Sequence, residues 1–339
     1  VATNDYAVVV GINHYPGLSD LKGAENDARA FQDWLVRKDG GNIPNSSPHL
    51  QVILSSNFPF TDDVDDALPT TLEINKALMR LIRLAEQNNG QLGRRLYLFM
   101  AGHGFAHDVD ESALKMANSD FYNHYYIPGN TYAKWFRSAA YFEEVILIMD
   151  CCRDDQRRVP LVVPPWFTKS VPGAKIRHFY AFATQWSRKA RERKDNNTGE
   201  TRGIFTKAFI AALENAPADG KGHVTGNAVA SYVYNDLPKS FPNESYPEPE
   251  FNYDHNHDIV FLKRKVPSSI PVKISFSNED PTGRILILDS TLTPVSGPYT
   301  TTGTVSVDLV PSFYKIQRLG SGQTKDFSVV GEEEIHVIF

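Results

Sequence analysis

The chain has 339 residues, 41% of them hydrophobic and 22% charged, with a net charge of −5. That is enough for one large core plus a smaller module, and it excludes a disordered chain. The mild charge gives no support to a nucleic-acid partner, and no apolar run approaches the roughly 20 residues of a membrane span.

The two cysteines, Cys151 and Cys152, are adjacent. Neighbours rarely form a relaxed mutual disulfide, so a disulfide framework is excluded and a reducing, cytoplasmic compartment is expected. Val1–Asp5 is no signal peptide. Val1 is not an initiating methionine, which leaves a removed leader open.

In chain order, Tyr6–Ile12 is a valine-rich apolar run of the kind buried on both faces of a sheet. Ala24–Val36 follows with Ala28, Phe31 and Leu35 at helical spacing. A second strand is expected at Leu50–Leu54. Thr70-Thr71-Leu72-Glu73 reads as a capping box for a helix to about Gln87. Further strands are expected at Leu96–Met100, Val145–Met149, Phe179–Phe182 and, more weakly, Ile259–Leu262, with a short helix over Thr206–Glu214. Strands alternating with helices predict an α/β domain over 1–265, a mostly parallel sheet with helices on both faces. In such sheets chemistry collects at the carboxyl ends of the strands.

Residues 266–271 (VPSSIP) read as a linker. Beyond it, β-type runs at Val272–Phe276, Arg284–Leu288, Thr304–Leu309, Phe313–Arg318 and Ile335–Phe339 alternate with turn residues. They predict a small all-β sandwich over 266–339.

Two expected strands end in reactive residues. One runs into Gly102-His103-Gly104 and the other into Asp150-Cys151-Cys152-Arg153. An isolated cysteine after an apolar strand is ordinarily a small buried hydrophobe. A histidine delivered 49 residues upstream, to the rim of a parallel sheet, changes that reading. An imidazole lowers a neighbouring thiol's pKa and so generates the thiolate nucleophile. The glycines allow close backbone approach, and the Gly104 and Cys152 amides are placed to form an oxyanion hole. His107 lies in a polar stretch and is expected to be solvated, and His255-Asn256-His257 lacks a third ligand, so no metal site is expected.

Taken together, these segments resemble the bacterial caspase-like and metacaspase cysteine peptidases. The 49-residue spacing is close to the roughly 50 of caspases. The resemblance covers about residues 5–262. It is carried by Tyr6–Asn13, Leu21–Ala28, the Gly-His-Gly and Asp-Cys-Cys-Arg motifs, Ala190-Arg191-Glu192 and Gly203-Ile204-Phe205-Thr206. Order and spacing, rather than any single motif, make it specific.

The resemblance implies Cys152, two residues after the aspartate, as nucleophile and His103 as base. It implies Asp27 and Asp150 as the acids of a pocket for arginine or lysine, whose guanidinium two carboxylates can grip. More blandly, Asp150 holds a loop amide and Asp27 favours a helix N-terminus. Ala101 stands where many metacaspases have serine. The acidic cluster that binds calcium in some metacaspases has no clear counterpart beyond nearby Asp154 and Asp155, so no cofactor is expected. The basic run Ser187–Lys194 reads as a solvated loop or as a pocket-covering, cleavable segment, with Arg157-Arg158 a second cleavable candidate. Protein or peptide substrates are implied, with an activator protein or signalling ligand and a role in a stress, cell-death or anti-phage pathway. The competing reading is a catalytically silent scaffold or ligand-binding regulatory module.

Overall fold

The computed structural model describes residues 2–339 except 157–158, 168, 195–198, 241–245, 255–256, 266–268, 279, 290–291 and 331–333. Two compact units are present, one of residues 1–215 with 229–259, the other of 216–228 with 260–339.

The first unit begins with β1 (Asp5–Gly11), α1 (Ala24–Val36), β2 (Leu50–Leu54), α2 (Thr71–Gln87) and β3 (Gly93–Ala101). A small antiparallel sheet follows, β4 (Gly104–Phe105), β5 (Ala113–Lys115) and β6 (Tyr126–Pro128). Then come α3 (Gly129–Ala139), β7 (Phe142–Asp150), β8 (Arg177–Phe182), the ribbon β9 (Glu192–Lys194) with β10 (Thr201–Gly203), and α4 (Ile204–Asn215). The short β11 (His223–Thr225) precedes α5 (Gly226–Ser240) and β12 (Glu250–Tyr253).

The central sheet runs β12-β8-β7-β3-β1-β2, parallel except for β12, which pairs antiparallel with β8. Every residue of β1 is buried, because helices cover both faces. On one face Val8, Val10, Leu98 and Leu147 meet Ile74, Leu78 and Leu81 of α2 and Phe136 of α3. On the other, Phe31 of α1 stacks on Phe99 at 4.8 Å, and Phe179 lies 6.3 Å from Phe209 of α4. Each such side chain contributes about 1.5–3 kcal/mol by leaving water. The capping box forms as expected: Thr70 Oγ1 accepts from Leu72 N at 3.2 Å, and Glu73 accepts from Thr70 N at 3.0 Å.

Ile259–Leu262 does not join this sheet. It lies mostly within β13 (Val260–Lys263), which pairs antiparallel with β11 in the second unit. The edge position belongs to β12, whose EFNY sequence lacks an apolar run.

The rest of the second unit is all β. Its strands are β14 (Ile270–Ser275), β15 (Asp280–Leu288), β16 (Pro294–Thr301), β17 (Thr304–Leu309), β18 (Ser312–Arg318), β19 (Thr324–Val329) and β20 (Ile335–Ile338). They form sheets of order β17-β14-β20 and β16-β15-β18-β19 around Val272, Ile274, Ile285, Ile287 and Ile316. Ile270 and Pro271, read from sequence as linker, already pair with Leu309 and Asp308; residues 266–268 lie outside the described residues.

Candidate active site

Parallel register sets the site. Gly11 lies opposite Ala101, and Ala101 opposite Asp150. The segments leaving β1, β3 and β7 therefore emerge at one rim, the carboxyl end of the sheet, where α/β proteins place ligands. His103 and Cys152 both line a cavity of about 280 Å³ there, with Asp27, Asp150, Gly203, Gly102 and the Ala190–Glu192 segment.

His103 is held from two sides. Its backbone N–H donates to the buried Tyr15 hydroxyl at 3.0 Å, and its carbonyl accepts from Lys115 N at 2.8 Å. Gly102 makes this possible, since a Cβ there would lie 2.4 Å from Tyr15 Oη. On the ring, Nε2 is 2.7 Å from the Ser19 carbonyl oxygen. A carbonyl only accepts, so Nε2 carries the hydrogen and the neutral ring keeps its lone pair on Nδ1. Burial holds the imidazole below its ordinary value, helped by the Lys115 ammonium and opposed by the Ser19 bond. At neutral pH His103 is therefore an uncharged base.

Cys152 is partly exposed, with its thiol 3.9 Å from the Ala190 carbonyl oxygen. It is not hydrogen-bonded to His103. Burial pushes the thiol up to about 11, with Asp154 and Asp150 adding to the rise and Lys189 opposing it. Burial thus disfavours the thiolate expected from sequence, and no hydrogen bond joins the thiol to the imidazole. Hydrogen bonds between catalytic groups often tighten only when substrate binds. Cys151 is buried against Ser112 Oγ at 3.3 Å, its thiol pushed up to about 12 by burial.

Gly104 does not line the cavity. It sits in β4 opposite Leu114, and a Cβ would meet Cys151 Sγ at 2.7 Å. The bond from Lys115 N to His103 O makes those two residues the hydrogen-bonded pair of the ladder.

Asp27 and Asp150 come together. A Cβ at Gly203 would lie 2.7 Å from Asp27 Oδ2 and 2.2 Å from Asp150 Oδ2, so the two carboxylates converge on a place only glycine leaves open. Asp27 Oδ1 accepts from Arg202 Nε and Oδ2 from Gly203 N, both at 2.7 Å. Asp150 Oδ2 accepts from Thr206 N at 3.1 Å and from Thr206 Oγ1 at 2.6 Å. The bland readings hold in part, since Asp27 is in the first turn of α1 and Asp150 holds an amide. Burial raises both above the ordinary carboxylate range, the Asp150 charge adding to the rise at Asp27 and Thr206 restraining Asp150.

His107 contradicts the solvated reading. It is 8% exposed and packs at 5.1 Å against both Phe105 and Tyr126, because β4 carries the chain inward beyond the histidine motif. The basic run does cover the site: Arg153 N donates to Arg188 O, and the Glu192 carboxylate accepts from Gly23 N at 2.8 Å. Arg157-Arg158 and His255-Asn256 lie outside the described residues. Sequence reasoning missed Tyr15, Ser19, Lys115 and Arg202. Of these, only Arg202 carried a signal, a cation directly before the Gly-Ile-Phe-Thr motif.

The sequence pattern of the caspase domain matches residues 4–251, most of the chain and all of the rim just described. The chain belongs to the caspase-domain family of cysteine peptidases. A curated relative, a "probable protease" from a Desulfuromonadales bacterium, is 28% identical over 218 residues, which are 62% of this chain. The match spans 26% of that relative's length. Among solved structures, caspase-1 from Spodoptera frugiperda is similar at a TM-score of 0.48 and 14% identity, over 78% of this chain and 92% of that one.

Proposed function

We propose that the chain is a cysteine endopeptidase that cuts after arginine or lysine, with Cys152 as nucleophile and His103 as base. The supporting observation is that both residues and the Asp27–Asp150 pair line one cavity at the carboxyl rim. In this reading a bound peptide displaces water and brings the thiol within reach of His103 Nδ1. Sγ attacks the carbonyl carbon as its proton passes to Nδ1. The Cys152 and Gly104 amides are the proposed oxyanion donors, Gly104 from just outside the residues that line the cavity. Collapse breaks the C–N bond, His103 returns its proton to the departing amine, and water hydrolyses the thioester.

Substrate cation and acid pair are complementary in charge, because buried carboxylates need a cationic partner. A silent scaffold would have no need to hold a neutral imidazole and a thiol in one cavity. An effector role in a bacterial stress, cell-death or anti-phage pathway, with an activator protein or ligand, rests on family resemblance alone.

The test is covalent trapping with a peptidyl arginyl ketone bearing a leaving group, followed by peptide mass mapping. Label on Cys152, lost in His103→Ala, is expected. Label on Cys151, or equal labelling by an aspartyl ketone, would contradict the assignment.

A further inference from the structure

Arg202 is the unexplained cation at this site. It donates to Asp27 Oδ1 at 2.7 Å, its side chain is 19% exposed, and the carboxylate it holds is 2% exposed. It is not among the described residues that line the cavity, whereas Asp27, Asp150 and Gly203 are. Arg202 therefore holds Asp27 without itself lining the cavity.

Charge counting shows why that matters. Two buried carboxylates and no resident cation would carry two negative charges, and one substrate side chain would neutralise only half of them. With both carboxylates ionised, Arg202 leaves the pair one net negative charge, which one guanidinium or ammonium cancels. Uncompensated buried charge is avoided by protonation instead.

We propose that Arg202 is a specificity-determining positioning residue that orients the Asp27 carboxylate and favours its ionised form, the form a substrate cation engages. This rests on the arginine and lysine pocket put forward above. The remaining groups facing the pair are few. Glu192, on β9, raises Asp150 by its charge, but its own carboxylate is engaged with the Lys22 and Gly23 amides. Arg191, His103 and Cys152 line the cavity, with His103 and Cys152 uncharged at rest. Thr206 donates to Asp150. Asp27 already sits above the ordinary carboxylate range with Arg202 present. Removing the cation raises it further.

The experiment uses the full chain carrying Cys152→Ala and a peptide amide ending in arginine, titrated calorimetrically from about pH 6 to pH 10. Arg202→Gln should bind about tenfold more weakly at neutral pH, because the ionised fraction of Asp27 falls about tenfold per pKa unit. The deficit should close as pH rises past the shifted value, and Arg202→Lys should restore part of the affinity. A structural role would not produce that pH dependence. A deficit equal at every pH, accompanied by a lowered melting temperature, overturns the proposal. So does unchanged or tighter binding, which would make Arg202 a bystander or a competitor for the pocket. Asp27→Asn and Asp150→Asn separate the two readings. If neither weakens binding of the arginine peptide, the pocket itself is misassigned and the role of Arg202 falls with it.

Discussion

Cys151 and Cys152 differ by one position and by their surroundings. One thiol is sealed against Ser112; the other faces the cavity. Cys152→Ala should abolish peptidase activity. Cys151→Ala should keep most of it at a stability cost of about 1 kcal/mol for the lost buried atom, read from activity and melting together. The base gives a pH prediction. His103 must be unprotonated to act, and burial lowers its pKa. The acid limb of kcat should therefore lie below the roughly 6.5 of a free imidazole, and a limb above that value would contradict the neutral-base reading. For arginine substrates KM should fall as pH rises through about 6 to 8, as the acid pair ionises. His107→Ala should lower the melting temperature, since its ring packs between Phe105 and Tyr126, yet leave the acid limb in place. Reactive residues at strand ends pointed to His103 and Cys152 in sequence, whereas Asp27 and Asp150 followed from the family resemblance; the structure brings all four to one cavity. Tyr15, Ser19 and Lys115 act through backbone groups and distant contacts, which carry no local pattern.

Among the elements, long apolar strands and the capped helix were legible because burial on both faces and the Thr70–Glu73 box leave marks in the sequence. β12, β16 and β19 were not. They are polar edge strands held by pairing with β8, β15 and β18, and pairing leaves no hydropathy signal. α3 was hidden for a similar reason. It is short, starts at Gly129 after Pro128, and its N-terminal amides are satisfied by a remote carboxylate, with Glu111 accepting from Asn130 N and Thr131 N. One buried charge cluster ties the sheet together. Glu144 on β7 bonds Arg95 on β3 and Arg177 on β8, with Arg95 and Glu144 both 1% exposed. Glu144→Ala should cost about 3–5 kcal/mol, because it removes the buried guanidinium's carboxylate partner and leaves Tyr97 Oη among its remaining contacts. Chemical denaturation measures this, and a loss under about 1 kcal/mol would show that water reaches Arg95.

At the scale of the whole molecule, a caspase-domain unit carries the rim chemistry, and the second unit has its own apolar core. A chain ending at Lys265 keeps β13 and its pairing with β11. It is expected to fold with a cooperative melt and to retain peptidase activity; insolubility would show that folding requires residues 266–339. The central claim joins nucleophile, base and acid pair in one function, and kcat/KM on matched peptides differing only in the residue before the cut tests it most directly. Arginine is expected above lysine, because the planar fork meets two carboxylates, with no cleavage after aspartate, a marked loss in Asp150→Asn, and none of this activity in Cys152→Ala. Preferred cleavage after aspartate, or activity surviving Cys152→Ala, would contradict it.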